Sequence, residues 1–268
     1  MGEGEEKPSP IGRGLGEGLP LTCLLLLALT GFIAGGMNAI AGGGSFLSFP
    51  ALIFAGLPAV AANASSTVAL FPGAVVSVWA FRRDLVRVGG VPFPAMLAAS
   101  VAGGLLGAVL LLLTSDAAFR EVVPWLLLLA SVAFAFGGRV GIALRRRFRV
   151  GASVLLPAQF VLAIYGGYFG GAVGIMMMAV WGLLSSATLK VLNPAKVLLV
   201  GAMNGVAVVC FIVAGKVWWP ETLAMLIAAA AGGYVGAQIA RRLPTTVVRI
   251  VIVTVSFAMT GAFFLKLV

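Results

Sequence analysis

The chain has 268 residues, 61% of them hydrophobic and 10% charged, with 36 glycines, 18 Lys and Arg against 8 Asp and Glu, and no histidine. This composition excludes a soluble domain folded around one core, because nearly every stretch between polar clusters is apolar enough to lie in a bilayer. The acids (Glu3, Glu5, Glu6, Glu17, Asp84, Asp116, Glu121, Glu221) are confined to the amino-terminal tail and the ends of apolar runs, which argues against a transition-metal carrier, a carboxylate-relay proton pump and a carrier of organic cations.

Residues 1–19 lack the basic start of a signal peptide and read as a short disordered acidic tail. Ten apolar segments follow, at roughly 20–41, 45–57, 61–81, 91–114, 122–144, 151–171, 174–187, 194–215, 220–240 and 245–267. The second and seventh are short, about 13 residues against the roughly 20 that a crossing needs. Each follows a glycine cluster: Gly42, Gly43 and Gly44 before Ser45, then Gly170 and Gly171 with Gly174. Helices in hydrocarbon are interrupted where protein or a watery cavity satisfies the backbone, which in transporters is the substrate site. The expected fold is all-α: a polytopic integral membrane protein with roughly eight to ten membrane segments. Cys23 and Cys210 fall in apolar segments and read as packing residues.

Displacing the first half by about 129 residues aligns Gly42 with Gly171, Thr67 with Lys196 and Leu70 with Leu199, and the order long, short, long, long, long recurs. One transmembrane domain, 20–268, is therefore expected to contain repeat one at 20–144, a basic link at 145–150 and repeat two at 151–268. Arg82, Arg83 and Arg87, the Arg145–Arg149 cluster, Lys190, and Arg241 and Arg242 can all be cytoplasmic if every segment changes side. The tail, the Ala59–Ala64 link and the loops around Asp116 and Lys216 are then outside. Five segments per half is an odd number, so the halves are expected to be inverted.

Polar residues after the two breaks are neutral or cationic: Asn63, Ser65, Ser66 and Thr67 in the first half, and Thr188, Lys190, Asn193 and Lys196 in the second. Helix starts after Gly44 and near Pro194 would add backbone amides and positive dipole ends, a match for a small anion. Lys196 is the sharpest candidate, because a cation just inside a helix start is disfavoured unless an anion joins it. Packing offers a competing account: glycine clusters allow close helix approach, Asn38 and Asn204 can bridge helices by hydrogen bonds, and Lys190 and Lys196 can reach to the cytoplasmic surface. Trp79, Trp125, Trp218 and Trp219 read as interfacial anchors, and Met176–Met178 as adaptable packing.

The pattern A-G-G-M-N-A-I-A-G-G-G-S at 34–45, F-P-A-L-I-F-A-G-L-P at 49–58, A-A-N-A-S-S-T at 61–67, G-G-Y-F-G-G-A-V-G at 166–174, N-P-A-K at 193–196 and A-G-K-V-W-W at 214–219 resembles the TauE/SafE family of sulfite and organosulfonate exporters. The chain departs from it at Ala172 and Val173, where the family often has glycine. The resemblance implies an inner-membrane permease for small sulfur-containing anions such as sulfite or organosulfonates. With the residues it gives an exporter working by alternating access between the two broken helices, with no enzymatic activity and no cofactor. An anion channel, or an uptake permease for another oxyanion or a carboxylate, is the alternative. The partners expected are a small anionic substrate and the lipid bilayer, with a homodimer open and no nucleic acid.

Overall fold

The computed structural model describes residues 20–81, 88, 90–147, 154–184, 189–240 and 245–265. The acidic tail, Arg82, Arg83, Asp84, Arg87, Arg149, Thr188, Arg241 and Arg242 lie outside the described residues, as do the side chains of Arg139, Arg145–Arg147 and Lys190. The described chain forms ten helices: α1 (Leu21–Ala41), α2 (Ser45–Phe54), α3 (Ala59–Phe81), α4 (Phe93–Leu113), α5 (Asp116–Arg147), α6 (Leu155–Tyr168), α7 (Val173–Leu184), α8 (Leu189–Val213), α9 (Trp219–Ala240) and α10 (Thr245–Phe264). Among the described residues the only β feature is an isolated bridge between Val88 and Val91. Stretches of α1, α3, α4 and α8 are long and apolar enough to cross a membrane. Outward faces of the bundle leave large apolar side chains such as Leu29, Val76 and Ile227 exposed, a pattern that lipid tolerates and water does not.

The two short helices are real and end before they could span. At 1.5 Å per residue, α2 and α7 are about 15 and 18 Å long, roughly half a hydrocarbon core. Two expected boundaries are wrong: α5 begins at Asp116 rather than near 122, and α8 begins at Leu189 and carries Pro194 inside it, so no helix starts at Pro194 and no free amides cluster there. Proline is tolerated within membrane helices because neighbours and local adjustment satisfy the carbonyl it frees.

Close glycine contacts set the helix pairing. An added Cβ at Gly31 would lie 2.7 Å from the Met225 carbonyl oxygen, at Gly35 it would overlap the Ala229 carbonyl, and at Gly236 it would meet Gly36, so α1 and α9 run parallel with backbones touching. In the same way Gly103 approaches Phe160 and Ala163, and Gly107 approaches Ile164 and Tyr168, which makes α4 and α6 parallel. Both pairs use the pattern A-G-G-x-x-G-A, at 102–108 and 231–237, displaced by 231 − 102 = 129 residues. Exchanging α1–α5 for α6–α10 maps the pair α1 and α9 onto α6 and α4, and the pair α3 and α9 onto α8 and α4.

Counterparts that touch run in opposite directions. Gly201 faces Val78 and Gly205 faces Phe71 between α8 and α3, while Ser131 bonds Thr260 at 3.1 Å and Trp125 meets Phe264 between α5 and α10. The Val60 amide donates to Asp116 Oδ1 at 2.8 Å, and the Trp218 amide to Ser65 Oγ at 3.0 Å. These bonds gather the α2–α3, α4–α5 and α8–α9 connections at one end of the bundle, called here the loop end. In the other half of the bundle, buried Gln159 donates to Ser100 Oγ at 2.9 Å and accepts from Trp181 Nε1 at 3.1 Å, tying α7 to α4 and α6.

Candidate functional site

The first break is built by glycine. Gly42 closes α1 in the left-handed conformation (φ 81°) with its amide on the Asn38 carbonyl at 3.0 Å, a geometry a side chain would strain. Gly44 packs so tightly under α1 that an added Cβ would stand 2.5 Å from the Ala34 carbonyl oxygen. Bonds of the new helix begin with the Phe46 amide on Gly43 and those of Leu47 and Ser48 on Gly44, and no side chain caps α2. The amides of Gly43, Gly44 and Ser45 therefore find no acceptor among the described residues, although Gly43 and Gly44 are buried. Buried amides at a helix start, with the positive dipole end behind them, favour an anion.

The second break is held differently. The Phe169 and Gly170 amides both fold onto the Tyr165 carbonyl, Gly170 is left-handed (φ 78°), and Ala172 is too (φ 56°) despite its side chain. The Tyr165 hydroxyl fastens the turn by donating to the Gly171 carbonyl at 2.9 Å. Bonds of α7 start where the Ile175 and Met176 amides reach Ala172. Gly174, in the first turn of α7, leaves room for the stem of Lys196, whose Cδ would be 3.4 Å from a Cβ there.

Several candidate residues from the sequence thus come together. Gly42, Gly43, Gly44 and Ser45 surround the first helix start beside Asn38, and Gly174 and Lys196 meet at the second. Asn63, buried on α3, donates from Nδ2 to the Tyr168 carbonyl at 3.0 Å and so reaches the chain just before Gly170 and Gly171. Ser66 shares a 2.6 Å hydrogen bond with Ser48, linking α3 to α2. Thr67 turns onto its own helix, donating to the Asn63 carbonyl at 2.9 Å. Ser65 faces the loop end through Trp218 and stands apart from the breaks. Asn193 is half-buried on α8.

Among the described residues, neither Asn38 nor Asn204 makes the helix-bridging side-chain bond that packing would suggest; the buried Oδ1 of Asn204 has no partner. The dipole argument for Lys196 falls with the boundary at Pro194, since the residue lies in the third turn of α8. What singles it out is position: a half-buried cation beside the start of α7, in a half of α8 remote from the described acids. Asp116, Glu121 and Glu221 all sit in the opening turns of α5 and α9 at the loop end, while Lys196 is roughly 25 Å down α8 from that end.

Sequence reasoning missed Ser48, Tyr165 and the aromatic residues Phe49 and Phe169. Ser48 is buried, three residues after Ser45, and Tyr165 opens the second glycine cluster. Proximity in sequence to a break was the available signal.

The chain matches the family model described as "Sulfite exporter TauE/SafE" over residues 27–263. It is 30% identical over 241 residues to a "Probable membrane transporter protein" of Haemophilus influenzae, covering 89% of this chain and 93% of that one. It is 26% identical over 237 residues to the "Probable membrane transporter protein YfcA" of Escherichia coli K12, covering 88% and 87%. To the "Probable membrane transporter protein ORF9" of a Sinorhizobium species it is 28% identical over 247 residues, 91% and 93% of the two chains.

Proposed function

Since the chain belongs to the sulfite exporter TauE/SafE family and is a multi-pass membrane transporter rather than an enzyme, we propose that its cargo is a small sulfur-containing anion such as sulfite or an organosulfonate. The observation that carries this is the first break, where the amides of Gly43, Gly44 and Ser45 stand without acceptors among the described residues at a helix start. Such amides bind oxyanions without needing a cation beside them. Lys196, seated on Gly174 in the first turn of α7, supplies a complementary charge from the second half, and Asn63 of the first half reaches the Tyr168 carbonyl just before Gly170.

The motion that would expose this site to each side follows from two inverted repeats. Supporting that reading are the antiparallel counterparts α3 and α8 and α5 and α10, the exchange of packing partners between halves, and the recurrence of the A-G-G-x-x-G-A pattern at the same displacement. In this reading the loop end faces outward with the acidic tail, and the basic clusters are cytoplasmic in a bacterial inner membrane.

Transport of labelled sulfite into proteoliposomes tests the proposal. Wild type should show saturable uptake with counterflow, and Lys196→Ala should weaken apparent affinity by about 10- to 100-fold, the usual effect of deleting one charged hydrogen-bond partner. No sulfite or sulfonate flux by wild type sinks the cargo assignment; equal affinity in the variant removes Lys196 from the site.

A further inference from the structure

A cavity of about 530 Å³ opens at the loop end between α2, α5 and α10, with Ile53, Trp125, Phe264 and the oppositely charged neighbours Arg120 and Glu121 around it and Phe49 and Phe263 in its wall. Its floor is aromatic. Phe49 is fully buried, stacks on Phe263 at a centroid separation of 5.7 Å, and meets Phe119 and Phe169 edge-on at 6.1 and 6.0 Å. Phe169 immediately precedes Gly170 in the second break. One ring, that of Phe49, therefore touches the cavity on one side and the break on the other.

The position of the cavity also reflects an imbalance between the halves. Helix α5 packs along α7, yet α10, the counterpart of α5, meets α2, the counterpart of α7, over a far shorter stretch. The cavity fills the space where a matching contact would be. Packing therefore differs between the halves, tight for α5 on α7 and slight for α10 on α2, and in the inverted-repeat reading a second state exchanges these two roles.

We propose that this cavity is the vestibule through which a small anion reaches the breaks from the loop end, and that Phe49 is its gate, shut here under the Phe263 ring of α10 and freed when α10 moves away from α2. This rests on the transporter reading of the two breaks. It adds a named entrance, a gating residue and a moving contact to that reading.

Thiol labelling tests it without any substrate, so its failure is distinct from failure of the cargo assignment. In a Cys23→Ala, Cys210→Ala background, Ile53→Cys on the vestibule side and Phe169→Cys beyond the gate are reacted in detergent with a charged, water-soluble thiosulfonate. Ile53→Cys should react at least about tenfold faster than Phe169→Cys, and adding Phe49→Ala should accelerate Phe169→Cys about tenfold while Trp181→Phe, at a buried ring in a separate part of the core, should not. Equal rates at the two positions with Phe49 intact overturn the gate, and so does acceleration by both ring variants alike. If Phe49→Ala does not fold, Phe49→Leu takes its place, and the comparison with Phe49 intact decides by itself.

Discussion

At the scale of single residues, two side chains stand in positions that their chemistry alone would not choose. Ala172 holds a left-handed backbone (φ 56°), which costs an L-residue roughly 1–2 kcal/mol. Ala172→Gly should therefore raise the unfolding temperature in detergent, by an amount equivalent to about 1 kcal/mol, and an unchanged or lower value would show that the methyl group contributes packing of equal worth. Lys196 stands with its stem on Gly174. Lys196→Met keeps that apolar stem and removes the charge, so sulfite affinity should fall as in the alanine variant while thermal stability stays within about 0.5 kcal/mol of wild type. The place of both breaks was legible from the glycine clusters, but the sorting of neighbours was not. Ser65 and Ser66 look equivalent in the sequence, yet the angle of about 100° between successive residues of a helix sends one to Trp218 and the other to Ser48.

At the scale of elements, the bilayer made most boundaries readable, since hydrocarbon demands long apolar helices and tolerates interruption only for a reason. All ten segments have a helix, and the expected ends at 41, 45 and 240 coincide with those of α1, α2 and α9. Pro194 misled because a proline marks a helix start in water more faithfully than in a membrane bundle, where α8 carries it internally. The helix pairing was hidden for another reason: Gly35 and Ala229 touch, but nothing local to either predicts the other. Their contact makes a sharp test. Gly35→Ala would push a methyl into the Ala229 carbonyl, whereas Gly73, with open space around its Cβ position, accepts one. Gly35→Ala should lower stability by about 1–3 kcal/mol in thermal unfolding, and Gly73→Ala should not; equal behaviour would mean that α1 and α9 separate easily.

At the scale of the whole molecule, the described acids are grouped at the loop end and Lys196 lies well away from them. Glu221 is buried, but in the first turn of α9 at that end rather than beside Lys196, so on the proposed anionic cargo no described carboxylate at the breaks supplies a countercharge and net charge should cross with the cargo. An interior-negative potential of 100 mV is worth about 2.3 kcal/mol per charge. Imposing it on proteoliposomes loaded with sulfite should accelerate efflux and slow uptake; rates indifferent to the potential would mean that a co-transported ion cancels the charge. The transmembrane class and the paired breaks could be read from the sequence, while the interlocking of the halves could not, because it depends on contacts between helices far apart in the chain.

That interlocking has a consequence for how the protein is made. The glycine face of α1 that includes Gly31 and Gly35 is covered by Met225 and Ala229 of α9, which leaves the ribosome long after α1 has entered the bilayer. Until then the first helix must wait with its most intimate surface turned to lipid or to an insertion factor, and the α4–α6 pair will have closed first. A chain stopped before α9 therefore keeps α1 on α2 and α3 but leaves the glycine face of its oldest helix uncovered, a mark that membrane quality control could read.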